Sequence, residues 1–215
     1  MAFAHRCGEV YGSMKAPPGS PIVTERSDDS PISSRPSPWW IQSLHLTEDD
    51  KQRLSTGRWL NDKLIDTVNR IVADHVQGDV PQSSLVVQVP GGFDRVVSGF
   101  QIIYDNVHWV AVCCQNDKVM FANSMTDNIS PFVAQQLKQL YAGLVTSGGL
   151  AVHVVPCSRQ TNGSDCGVFA AAFLFQWALL GDTNLDIKFD VPAMRTHRIT
   201  TTPVCQPCLV GISQS

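Results

Sequence analysis

The chain has 215 residues, 43% of them hydrophobic and only 16% charged, with a formal net charge of -3. That size and composition suit one globular domain with a real core, and the scattered basic residues argue against a nucleic-acid binder, which would show a basic patch or stripe. Seven cysteines, an odd number with Cys113 and Cys114 adjacent, do not read as a disulfide framework. The N-terminal stretch lacks the continuous apolar core of a secretory signal. The apolar run from Gly167 to Leu180 is broken by Gln176 and is shorter than the ~18–20 residues of a membrane span. We therefore expect an intracellular, reducing compartment, nucleus or cytoplasm, with no membrane partner.

In chain order, residues 1–38 combine many prolines with Ser and Gly, a composition that reads as a disordered arm. Order is expected to begin at Trp39-Trp40, where the first large aromatics arrive, and to run to 199, with 200–215 as a frayed tail. Thr47 followed by Glu48, Asp49 and Asp50 predicts an N-cap and a short helix to about Leu54. Asn61-Asp62 then caps a longer, amphipathic helix. Its apolar face is Leu64, Ile65, Val68, Ile71, Val72 and Val76, with Asn69 among the residues off that face and Gly78 at its end. Short β-branched runs follow at Leu85–Val89, Val96–Ile103, Val107–Cys114 and Lys118–Asn123, too closely spaced for βα crossovers, so an antiparallel or mixed sheet is predicted. Ser130-Pro131 opens another helix, Leu150–Val155 is one more strand, and Asp190-Val191-Pro192 caps a last short helix through Arg198.

Chemistry concentrates at Gln160-Thr-Asn-Gly-Ser-Asp-Cys166-Gly. Asn162-Gly163 signals a turn, Ser164 and Asp165 are helix N-cap types, and the run from Gly167 to Leu180 is greasy on all sides, as in a buried helix. Cys166 then sits at a helix N-terminus, where the dipole and free N–H groups favour a thiolate. Gln160, six residues upstream, offers an amide to an oxyanion, with the Cys166 N–H as a second donor. His108, in a strand beside Val110 and Val112, is a candidate base, and alternation puts it on their face. Asn123, at the end of the next strand, is a candidate orienter of the imidazole. Cys205-Gln-Pro-Cys208 is half of a zinc-site pattern without a second half, and no cofactor or metal is expected.

Four segments together resemble the ubiquitin-like-protein-specific cysteine proteases, the SUMO and NEDD8 deconjugating family related to the adenovirus protease. They are Trp59-Leu60-Asn61-Asp62, His108-Trp109, Phe121-Ala122-Asn123-Ser124-Met125, and Gln160 through Gly167. The resemblance spans roughly residues 39–180. It implies an α+β, papain-like fold with a central mixed sheet packed against a buried nucleophile helix. It also implies Cys166 as nucleophile, His108 as base, Gln160 as oxyanion donor, and Trp59 with Trp109 as a roof over the substrate's Gly-Gly tail. The implied partner is a ubiquitin-like protein, whether SUMO, NEDD8 or ubiquitin, handled by a monomer. The chain departs from the family at Asn123, where an Asp is usual, so this residue orients without offering a charge, while Asp127 lies off the motif. The departure leaves a binding-only pseudoprotease as an alternative. Acyl transfer on the same His/Cys pair is another, since bacterial effectors with a similar His-acid-Cys set transfer acetyl groups.

Overall fold

The computed structural model describes residues 38–77, 81–96, 98–181 and 184–196. The arm, the tail, Gly78, Arg198, Cys205 and Cys208 lie outside them. Among the described residues no helix is long and apolar enough to cross a membrane.

A two-stranded antiparallel ribbon, β1 (Trp39–Ile41) and β2 (Leu46–Thr47), opens the described chain. Helix α1 (Glu48–Ser55) follows, with the expected Thr47 cap: its hydroxyl accepts from the Asp50 N–H while Asp50 accepts from the Thr47 N–H. Helix α2 (Asp62–Val76) is capped by Asn61, whose side-chain oxygen accepts from the Leu64 N–H at 3.0 Å. It ends on Gln77 in the left-handed conformation at φ 52°, one residue before the glycine expected for that role.

Strands β3 (Gly99–Tyr104), β4 (Trp109–Gln115) and β5 (Lys118–Ala122) form an antiparallel meander. After α3 (Pro131–Leu140) the chain returns to β6 (Val152–Val154), parallel to β5, which completes a mixed sheet in the order β3-β4-β5-β6. The run Leu85–Val89 is not a strand: Val86–Gln88 form a 3-10 turn. That segment packs beside the sheet instead of pairing with it, and Val86 and Val87 join the cluster under α3, while Val89 is exposed. β-branched composition alone does not distinguish those two outcomes.

Strand alternation sorts the core. Trp109, Ala111 and Cys113 of β4 join a cluster with α2 and with α4 (Cys166–Phe175), while Val110, Val112 and Cys114 meet α3 on the other face. Burial lifts the Cys113 thiol to about 12, which makes it a core residue rather than a reagent. Helix α4 is buried along its length from Cys166 to Leu174, continues as a π turn over Gln176–Leu180, and stops at Gly181 with φ 63°. One correction concerns α2. Asn69 is fully buried, because its amide both donates to and accepts from the Ile102 backbone on the outer edge of β3, satisfying peptide groups that no strand covers. Helix α5 (Val191–Thr196) is the last described element, capped by the Asp190 carboxylate on the Ala193 N–H.

Candidate active site

The β3–β4 hairpin turns through Asp105–His108, closed by the His108 N–H on the Asp105 carbonyl, with Asn106 left-handed at φ 57°. Asn is among the few residues that adopt that conformation cheaply. The β4 strand begins at Trp109, so His108 stands at the hairpin corner and strand alternation does not set its side chain. What sets it is Asn123, just past the end of β5: its Oδ1 lies 2.8 Å from the His108 Nε2. The same oxygen accepts from the Met125 N–H at 2.8 Å, which orients the amide with its acceptor toward the ring. An amide oxygen only accepts, so Nε2 carries the proton and Nδ1 keeps a free lone pair. His108 and Asn123 are both buried. Burial lowers the His108 pKa below its ordinary value, against weaker upward pulls from the Asn123 bond and the Asp105 charge.

Across the layer, Cys166 begins α4, and its thiol is 1% exposed. The Trp109 N–H, one residue from His108, reaches the Cys166 sulfur, as do the N–H groups of Gly167 and of Cys166 itself. Burial nevertheless raises the thiol's pKa, those donors oppose it, and the nearby Asp165 charge adds to the rise. Burial thus pulls the thiol toward its neutral form, against the helix end and the backbone donors, which were expected to favour a thiolate and which do oppose the rise.

The turn before Cys166 also differs from its sequence reading. Asp165 occupies the N-cap position but makes no capping bond. Its carboxylate accepts instead from the Arg195 guanidinium, with Nε at 2.8 Å, and from the Asn162 amide at 2.6 Å. Asn162 shapes the turn, its Oδ1 accepting from the Ser164 and Asp165 N–H groups. Gln160 is tied to the sheet side: Ser124 donates its hydroxyl to the Gln160 Oε1 at 2.6 Å, and the Gln160 N–H donates to the Ser124 carbonyl. The Gln160 side-chain nitrogen spends one of its two N–H groups on the Asn162 carbonyl at 2.6 Å and keeps the other. Asp127 pairs with Arg159 at the surface, while the imidazole's bonded partner is Asn123.

The two tryptophans have unequal surroundings. Trp59 is 46% exposed, whereas Trp109 is 5% exposed, leans on Tyr104 at 5.1 Å between ring centroids, and donates its indole N–H to the Leu60 carbonyl at 2.9 Å. Trp109 is thus a buried wall that fixes the Trp59-Leu60 segment, and Trp59 presents the open face. Gly167 closes the same corner. A Cβ there would meet Leu60 at 3.0–3.1 Å, so only glycine lets α4 approach this segment so closely. Further on, Asn61 donates to the buried Asp50 at 2.8 Å. Asp50, expected only as a first-turn acid, and Arg195, not singled out in the sequence, both support the site. The Thr47/Asp50 capping pattern was a usable signal for Asp50, whereas the Arg195 contacts reach far along the chain and leave no local pattern.

No protein-family model matches the chain. A sentrin-specific protease of Caenorhabditis elegans is 24% identical over 187 residues, a match covering 73% of this chain and 27% of that protein, so the chain spans about a quarter of its curated relative's length. Among solved structures, the SUMO protease Ulp1 with its catalytic cysteine oxidised to a sulfinic acid has a TM-score of 0.60 at 17% identity, covering 75% of this chain and 85% of that one. The C-terminal Ulp1 protease domain in complex with Smt3, the yeast ortholog of SUMO, has a TM-score of 0.56 at 18% identity, covering 71% and 80%. The chain thus has the fold of the Ulp1 SUMO protease domain, and its sequence is similar to that of a sentrin-specific protease.

Proposed function

We propose that this chain is a thiol isopeptidase that cleaves after the C-terminal Gly-Gly of a ubiquitin-like protein, with a SUMO-type modifier as the first candidate. The observation that carries the reading is the joined geometry of the two halves: His108 held through Nε2 by Asn123, and the adjacent Trp109 N–H on the Cys166 sulfur. The solved neighbours are SUMO proteases by their own descriptions, one of them bound to Smt3.

In this mechanism the Cys166 thiol gives its proton to the free Nδ1 of His108 as sulfur attacks the carbonyl carbon of the modifier's last glycine. The tetrahedral oxyanion takes the remaining Gln160 amide N–H and the Cys166 backbone N–H. His108 then passes its proton to the leaving lysine amine, and a thioester remains on Cys166. Water, deprotonated by His108, attacks the thioester, and the glycine carboxylate leaves as the thiol is re-formed. Asn123 keeps the ring in the tautomer both steps need. The exposed Trp59 covers the tail, where a residue without a side chain fits beneath a flat indole.

Asn123 favours the protease over the binding-only alternative, since its amide already makes the bond that an orienter must make. The test is a panel of modifiers with electrophilic C-termini (SUMO, NEDD8 and ubiquitin), each followed for covalent capture by Cys166, alongside cleavage of the matching C-terminal fusions. Capture and turnover with one modifier, lost in Cys166→Ala, are expected. Binding without capture by any of them would establish the pseudoprotease instead.

A further inference from the structure

Arg195, on the short helix α5, is buried, and its guanidinium reaches three places at once. Nε and Nη2 hold the Asp165 carboxylate, Nη2 also donates to the Ser164 carbonyl at 3.2 Å, and Nη1 donates to the Arg58 carbonyl at 3.0 Å. Ser164 and Asp165 lead directly into Cys166, and Arg58 leads directly into Trp59. A planar guanidinium with fixed, divergent N–H directions holds acceptors on several sides in a way a point-charge ammonium does not.

From this geometry we infer that Arg195 is a positioning residue: it locks the nucleophile turn to the segment bearing Trp59, so that one side chain sets the register between the attacking sulfur and the roof over the substrate tail. The inference rests on the reading of Cys166 as nucleophile and Trp59 as the substrate-facing ring. Its cost is a buried charge pair, which is stable only while both partners are present. Asp165 also bears on Cys166 by charge, and it is the same carboxylate that Arg195 holds. Asp165 and Arg195 both line a cavity of about 870 Å³, bordered also by Phe169, Val191 and Thr196.

The test compares Arg195→Ala and Arg195→Lys with the wild-type chain. In Arg195→Ala we expect kcat to fall and KM to rise together, for a combined loss in kcat/KM of about 10- to 100-fold, the scale of a misplacement near 1 Å. A variant that merely lost folded enzyme would lower apparent kcat and leave KM alone. Guanidinium chloride at about 50 mM, far below denaturing levels, is expected to recover a large part of the loss in Arg195→Ala and nothing in Arg195→Lys. Hydrogen exchange supplies a readout independent of any substrate: peptides covering 58–61 and 160–167 should lose protection together while the β3–β5 sheet keeps its own. If the wild-type chain cleaves no modifier but this paired loss appears, the function is wrong and the clamp stands. A folded Arg195→Ala variant with kcat/KM within twofold of wild type, or with unchanged exchange in both segments, overturns the inference. Should Arg195→Ala fail to fold, Arg195→Lys decides: wild-type kcat, KM and exchange in that variant overturn it equally.

Discussion

On the sheet side of the site, His108 is held by one side-chain bond across one hairpin and one strand end. On the helix side, Cys166 is held by backbone donors and by a turn whose shape depends on Asn162, Asp165, Arg195 and the close approach of Gly167 to Leu60. The first half is local and rests on a single amide, so its chemistry can be tuned by one substitution. The second is assembled from segments more than a hundred residues apart, so its geometry is shared among many residues and the donors around the sulfur are backbone groups.

The comparison breaks most sharply at the nucleophile. Cys166→Ala should lower turnover by at least about 10⁴-fold while the melting temperature stays near wild type, since the thiol accounts for little of the packing. Measurable turnover in that variant would remove Cys166 from its role. On the sheet side, Asn123→Ala should cost about 10- to 100-fold in kcat, up to the low end of what general-base catalysis contributes, because the ring loses the partner that fixes its tautomer.

Asn123→Asp sharpens the contrast by adding a charge. A carboxylate stabilises the imidazolium, so the rate should rise by about 3- to 30-fold, equivalent to about 0.7–2 kcal/mol of barrier. The pH profile gives the sign. Because burial holds the His108 pKa below its ordinary value, the acid limb of kcat/KM in the wild-type chain should lie below about pH 6.5, with the neutral base persisting into mild acid. In Asn123→Asp that limb should move to higher pH. A limb that stays in place or moves down would show that residue 123 does not govern the imidazole. Stability follows the same direction: the unfolded chain takes up a proton near pH 6.5 while folded His108 does not, so His108 contributes a loss of stability as the pH drops through that window.

Smaller effects belong to the corner where the two halves meet. Trp59→Ala should raise KM by about 10-fold, the loss of one exposed aromatic contact to the substrate, with no change in melting. Modifiers ending in Ala-Ala should lose most of their turnover on the wild-type chain, and equal rates on Gly-Gly and Ala-Ala tails would show that Trp59 closes over nothing. Gly167→Ala must push Leu60 aside by a few tenths of an ångström. That overpacking should cost about 1–3 kcal/mol of stability, read by denaturant unfolding, and should carry Trp59 out of register.

Much of this molecule is visible in local pattern. The capping box at Thr47, the Asn61 cap and the stripe on α2 follow from backbone groups that must be satisfied within a few residues and from an apolar face repeating at helical spacing. So does the apolar α4 ending at Gly181, since a helix greasy all round has nowhere to go but the interior. Where the reading failed, the deciding partner lay elsewhere in the chain. Asn69 looks like a surface residue until the edge of β3 is laid against it, and Leu85–Val89 look like a strand until no sheet edge accepts them.

The sequence by itself determined which residues are chemically able to act, because a thiol, an imidazole and an amide differ in kind, and it determined the short-range caps and turns that present them. Tertiary structure alone decided their burial and alignment. Burial favours neutral forms of Cys166 and His108 against the helix end's pull, and Arg195 turns Asp165 from a cap into half of a clamp. Desolvation and long-range pairing depend on what surrounds a group in space, and neighbours along the chain do not specify that.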